Sequence, residues 1–140
     1  MTNLGERLRA EHDHIEDLFD ELLNRVHTGD RAVMDEGWRV FEQTLLAHME
    51  FEERRLLVDF AEYHPAEAAW ILADHQRIRA LLFEVGVELD LHLLTDPRAA
   101  ALVELIRRHA TRESALLYRW ASTHRAPGRW HPSSAGPPMA

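Results

Sequence analysis

Leu, Ile, Val, Phe and Trp recur every three or four positions through most of the chain, and the alternation of a half-buried strand is absent. At 100° per residue, one stripe runs through Leu8, Ile15, Leu18, Phe19, Leu22 and Val26. A second contains Met34, Trp38, Phe41, Leu45 and Leu56, and a third Ile71, Ile78, Leu82, Val85 and Leu89. The fourth contains Leu102, Leu105, Ile106, Leu116 and Trp120. Gly29-Asp30, His64-Pro65 and Asp96-Pro97 punctuate the pattern. Helices are therefore expected over roughly 3–27, 32–61, 66–94 and 97–123, with Asp96 as N-cap and Pro97 at N1 of the last. Four amphipathic helices joined by short links predict an all-α, up-down-up-down four-helix bundle. From Pro127 the chain turns rich in Pro, Gly and Ser, which predicts a disordered tail over 126–140 behind a helical domain over 1–125.

The pattern also repeats. Glu11-His12 is followed by Ile15, Leu18, Phe19, Glu21 and Leu22, and Asp74-His75 by Ile78, Leu81, Leu82, Glu84 and Val85 at the same offsets. His48 and Glu52 are four apart, as are His109 and Glu113. His48 follows His12 by 36 positions and His109 follows His75 by 34. Two helix hairpins related by a pseudo-twofold axis are expected.

Composition narrows the chemistry. With 46% hydrophobic residues in 140, the chain can build a core of its own. It has no apolar run of the ~20 residues a membrane span needs. Met1 to Ala10 is polar and charged, unlike a secretory signal, so a cytoplasmic location is the default expectation. A net charge of −8 argues against nucleic acid as a partner. The sixteen basic residues are all Arg, which excludes Schiff-base chemistry and a P-loop lysine. Ten histidines stand against no cysteine. Any metal must therefore be held by imidazole and carboxylate, a donor set suited to iron, zinc, copper or manganese.

The positions of those histidines matter more than their number. His48 and Glu52 fall inside the second stripe, His109 and Glu113 inside the fourth, and His75 inside the third. His12 lies at the border of the first; His14 points about 110° away, and its counterpart in the second half is Arg77, so His12 is preferred. A residue pair at i and i+4 shares one face, about 6 Å apart along the axis. A single core histidine is ordinarily a hydrogen-bonded structural residue, and a single H-x-x-x-E a solvated pair. Four core imidazoles and two core carboxylates would be expensive unless they bind metal. Glu52 and Glu113 displace toward the same end of parallel helices, where both could bridge two ions, each ion receiving two histidines.

At these residues the chain resembles the hemerythrin-like, or HHE cation-binding, family. The resemblance runs from about Leu4 to Trp120. It rests on Ala10-Glu11-His12, on Leu45 to Glu53 around His48 and Glu52, on Ala73 to Ile78 around His75, and on Arg107 to Glu113. It implies a non-haem di-iron centre bridged by two carboxylates and an oxo or hydroxo group. His12, His48, His75 and His109 would be terminal ligands, and Glu52 and Glu113 the bridges. One departure stands out: where oxygen carriers of this family have a second helix-three histidine, this chain has Arg79. Glu16, one turn after His12, is a candidate substitute ligand near the polar edge of its helix. His92 is too far from His75 along the helix, and His14, His27, His64, His124 and His131 read as surface, turn or tail residues.

The resemblance implies reversible binding of O2 or a related small ligand, with redox chemistry on peroxide, NO or a small substrate as the alternative. Arg79 would serve that alternative if it turned inward. Iron or oxygen sensing, through metal-dependent stability, is a third reading. A structural zinc site is the chemical rival, but it prefers four tetrahedral ligands over six in two matched sets. Stripe edges leave the oligomeric state open.

Overall fold

The computed structural model describes residues 3–26 and 30–124. Six α-helices and one π-helical segment follow one another: α1 (Leu4–Val26), α2 (Arg31–Arg55), α3 (Leu57–Tyr63), α4 (Pro65–Asp90), α5 (Asp96–Glu113), the π segment (Ser114–Tyr118) and α6 (Arg119–His124). The all-helical class expected from the periodicity holds, and no strand occurs among the described residues. None of the described helices is long and apolar enough to cross a membrane. The expected tail over 126–140 lies outside the described residues, as do His27 and His131.

Four uninterrupted helices were expected, and two of them are interrupted. The second expected helix divides at Leu56, where ψ stays helical but φ opens to −119° while the amide still bonds to Glu52 O at 3.0 Å. This kinks the chain between α2 and α3 at a position that offers neither Gly nor Pro as a warning. The last expected helix passes through the π segment, where one extra residue is accommodated within a turn. The cap of α5 is Thr95, whose side chain accepts from the Arg98 amide, so Asp96 is the first helical residue rather than the cap. Asp30 caps α2 by accepting from the Val33 amide at 3.2 Å. α4 ends earlier than the periodicity suggests; beyond it His92 adopts φ 59°, a left-handed conformation that stops the helix.

α1 packs chiefly on α2 and also meets α5, the π segment and α6; α4 packs on α5, α3 and α2. Gly5 permits the approach of α1 to the π segment and α6. A Cβ there would meet Tyr118 O at 2.6 Å and Ser122 Oγ at 2.1 Å, so α1 could not lie against the π segment with any larger residue.

The buried apolar residues form two clusters. Leu8, Leu56, Phe60, Ile71, Leu117 and Tyr118 belong to one, and Ile15, Phe19, Phe41, Ile78, Leu82 and Leu102 to the other. In α1 and α4 the buried histidine falls between residues of the two clusters, His109 falls between Ile106 of one and Leu117 of the π segment in the other, and in α2 the buried His48 and Glu52 sit where the clusters meet. A polar layer therefore separates two apolar halves of the core.

Candidate metal centre

The helical stripes turn six polar side chains into that layer. His12, His48, Glu52, His75, His109 and Glu113 are all buried, the two carboxylates and His75 completely. All six residues singled out in the sequence are brought together. They form two groups of four, His12–His48–Glu52–Glu113 and Glu52–His75–His109–Glu113, in each of which one donor atom per residue lies within 4.8 Å of the others. Both carboxylates belong to both groups.

The oxygens divide between the histidine pairs. Glu52 Oε2 lies 3.0 Å from His48 Nε2, and Glu52 Oε1 3.2 Å from His75 Nε2. Glu113 Oε1 lies 2.9 Å from His12 Nε2, whereas Oε2 lies 3.1 Å from His75 Nε2 and 3.0 Å from His109 Nε2. Each carboxylate thus turns one oxygen toward the His12–His48 pair and the other toward the His75–His109 pair. Glu52 Oε1 and His109 Nε2 are buried at these contact distances, yet neither is aligned for a hydrogen bond. Buried polar atoms without a hydrogen bond, inside groups of ligand atoms within 4.8 Å of one another, suit a shared cation. The residues present therefore fit metal, and an all-nitrogen and oxygen donor set admits iron, manganese, zinc or copper.

No family model, curated protein or solved structure matches the chain. The geometry of the site is what bears on its chemistry.

Three of the four imidazoles are held from outside by a carboxylate. His48 Nδ1 donates to Glu11 at 2.7 Å, His75 Nδ1 to Glu53 at 2.6 Å, and His109 Nδ1 to Asp74 at 3.2 Å. A carboxylate behind a ligating imidazole fixes its tautomer and raises its basicity. Glu11 and Asp74 occupy equivalent places in the two sequence halves, each just before a histidine of its own helix and each holding the histidine of a neighbouring helix. Sequence reasoning used these acids as marks of a motif and missed their role. Their signal was present: an acid precedes the histidine in both copies of the repeat.

Tyr118 was also missed. Its hydroxyl bonds Glu52 Oε2, lies 2.7 Å from Glu113 Oε1 and accepts from His48 Nε2 at 3.0 Å. On a regular helix a residue five after Glu113 points well off the ligand face. The π segment adds the residue that swings Tyr118 back over it. The same change of register leaves Leu116, expected in the core, only partly buried, and turns Leu117 in.

The other candidates lie outside the layer. Glu16 pairs with Arg107 at 2.6 Å and is not among the grouped donors. Arg79 does not turn inward: it grips Glu53 with two bonds of 2.8 and 2.9 Å, and so supports the acid that supports His75. His14 and His64 are exposed, and His92 contacts Arg31 at the end of α4.

The carboxylates and imidazoles of the layer shift one another's titration. Burial pulls the His48 pKa down, but Glu52, Glu11 and Glu113 outweigh it and push it up to about 10. Burial likewise opposes the charged form of His75, and Glu113, Glu52 and Glu53 push it up to about 11. For Glu53, burial is outweighed by His75 and Arg79, which hold it down to about 2. Glu113 is disfavoured as an anion by burial, yet His109, His12 and His75 hold its pKa well below the usual range. Burial first, and then Glu113 and Glu52, push the Tyr118 phenol well above its usual value.

Proposed function

We propose that the chain is a hemerythrin-like, non-haem di-iron protein that binds O2 or a related small oxidant. In this reading its helices form an up-down-up-down four-helix bundle whose halves are related by a pseudo-twofold axis. The observation that carries the proposal is the splitting of both carboxylates. Glu52 and Glu113 each present one oxygen to each pair of histidines, the arrangement that two bridged ions require. A single structural zinc uses four ligands and would leave two of the six without a metal.

Two irons held there would supply two electrons to a small oxidant. The chain's own part is to hold and to shield. His12, His48, His75 and His109 present Nε2 inward, Glu11, Glu53 and Asp74 fix three of those rings, and the two apolar clusters exclude bulk water on either side of the layer. Reconstitution of metal-free protein with Fe(II) under anaerobic conditions tests the reading. It expects two irons per chain and near-UV charge-transfer bands after exposure to air. A colourless protein holding one zinc in preference to iron would overturn it.

A redox enzyme acting on peroxide, NO or a small substrate is the second reading, and Tyr118 favours it. Its O–H sits at both shared carboxylates, where a proton can be held close to the reacting position. O2 release from H2O2, compared with an equal amount of free iron, separates the two. Turnover no faster than free iron, together with a reversible oxygenated spectrum, would leave the binding reading alone.

A further inference from the structure

The histidines are not held alike. His48, His75 and His109 each have a carboxylate behind Nδ1, whereas His12 Nδ1 is buried with no hydrogen-bond partner among the described residues. The cause lies in one departure from the internal repeat. Glu53 follows Glu52 and holds His75; the residue that follows Glu113 is Ser114, which is too short to do the same for His12. Ser114 also opens the π segment, and its carbonyl accepts from Arg9 at 3.2 Å.

The supports differ in quality as well as number. On the His75–His109 side, Glu53 is clamped by Arg79, and Asp74 is buried and lies 3.5 Å from Arg112. On the His12–His48 side the single supporting acid is Glu11, whose side chain is 44% exposed. A surface cleft of about 680 Å³ between α1 and α5 also reaches one side of the layer, with Arg9, Glu16, Arg107, Ala110 and Ser114 around His12 at its floor. His48, His75 and His109 do not line it.

We propose that the two metal positions are unequal: the His75–His109 position takes the first ion and retains it, while the His12–His48 position fills second and exchanges its ion through the cleft between α1 and α5. This rests on the two-metal reading above. Carboxylates behind ligating imidazoles change metal affinity by about 10–100-fold. The first step should therefore be tighter than the second by at least about 10-fold, and a chelator should remove one ion per chain before the other.

Titration of the metal-free full-length chain with Co(II), followed by its visible spectrum and by calorimetry, tests the proposal. Two resolved steps are expected. Glu53→Gln should weaken the first by about 10–100-fold and merge it with the second. Arg79→Gln, which frees Glu53 without removing it, should shift the first step in the same direction by less. Ala110→Phe, which narrows the cleft, should slow removal of the exchangeable ion. Two ions bound in one step of equal affinity, or two steps whose separation ignores both Glu53→Gln and Arg79→Gln, would overturn the inequality and leave the two-metal reading standing. Fewer than two ions per chain at saturation would overturn the two-metal reading itself.

Discussion

Replacing Tyr118 by Phe removes one oxygen from a layer in which two buried carboxylates depend on it. Glu52 and Glu113, both completely buried, would each lose a partner. The metal-free protein is expected to lose about 1–3 kcal/mol in urea denaturation. The loaded protein should lose less, because ions would occupy the same lone pairs. Equal losses in both forms would mean that the hydroxyl serves packing alone. His48 and His75 give a second prediction at this scale. Both have pKa values raised from 6.5, to about 10 and about 11. Their contribution to metal-free stability is complete below pH 6.5 and is lost as pH rises through those values. Metal must displace the same protons, so its affinity rises over the same window. The melting temperature of metal-free protein should fall, and the increment on adding Co(II) should grow, as pH is raised from 6.5 toward 9.5. An increment independent of pH would show that these imidazoles carry no proton for the metal to displace.

At the scale of the element, the π segment deserves its own test. In a regular helix, deleting one residue rotates everything after it by about 100°. Deleting exposed Arg108 from α5 should therefore turn His109, Glu113 and Tyr118 away from the layer and abolish metal binding. Deleting exposed Ala115 should do the opposite. It removes the extra residue of the π segment and leaves Tyr118 four after Glu113, on the same helical face. Retained metal stoichiometry and helical circular dichroism are expected for that deletion. Equal damage from both would contradict the register argument. The same segment marks where sequence periodicity stops being informative. A 100° wheel placed His12, His48, Glu52, His75, His109 and Glu113 correctly because each lies in a regular stretch anchored by its neighbours Ile15, Leu45, Ile78 and Ile106. It misplaced Leu116 and missed Tyr118 because nothing in Ser114–Tyr118 announces a wider turn. The kink at Leu56 was equally silent, since burial of Leu56 and Leu57, not a breaker residue, accompanies it. Glu11, Glu53 and Asp74 were hidden for another reason. Each precedes or follows a core-facing residue by one position, and only the packing of a neighbouring helix brings it within reach of a ring nitrogen.

Seen over the whole molecule, the polar layer gives the core two apolar halves joined by a seam of charges. Leu8, Phe60, Ile71 and Leu117 lie on one side, and Phe19, Phe41, Ile78 and Leu102 on the other. Without metal, the helices that run through both halves and the imidazole–carboxylate and phenol contacts of the seam are what join them. Unfolding should therefore lose cooperativity when the ions are removed. Native-state amide exchange is expected to show two levels of protection in the metal-free protein, one for each half, and a single level once both positions are filled. One common level in both states would show that the continuous helices alone couple the halves. If the two levels appear, bound ions would act as rivets: by joining the helices across the polar layer they would turn two small cores into one cooperative unit, so that metal supply would set how this chain unfolds as well as what it binds.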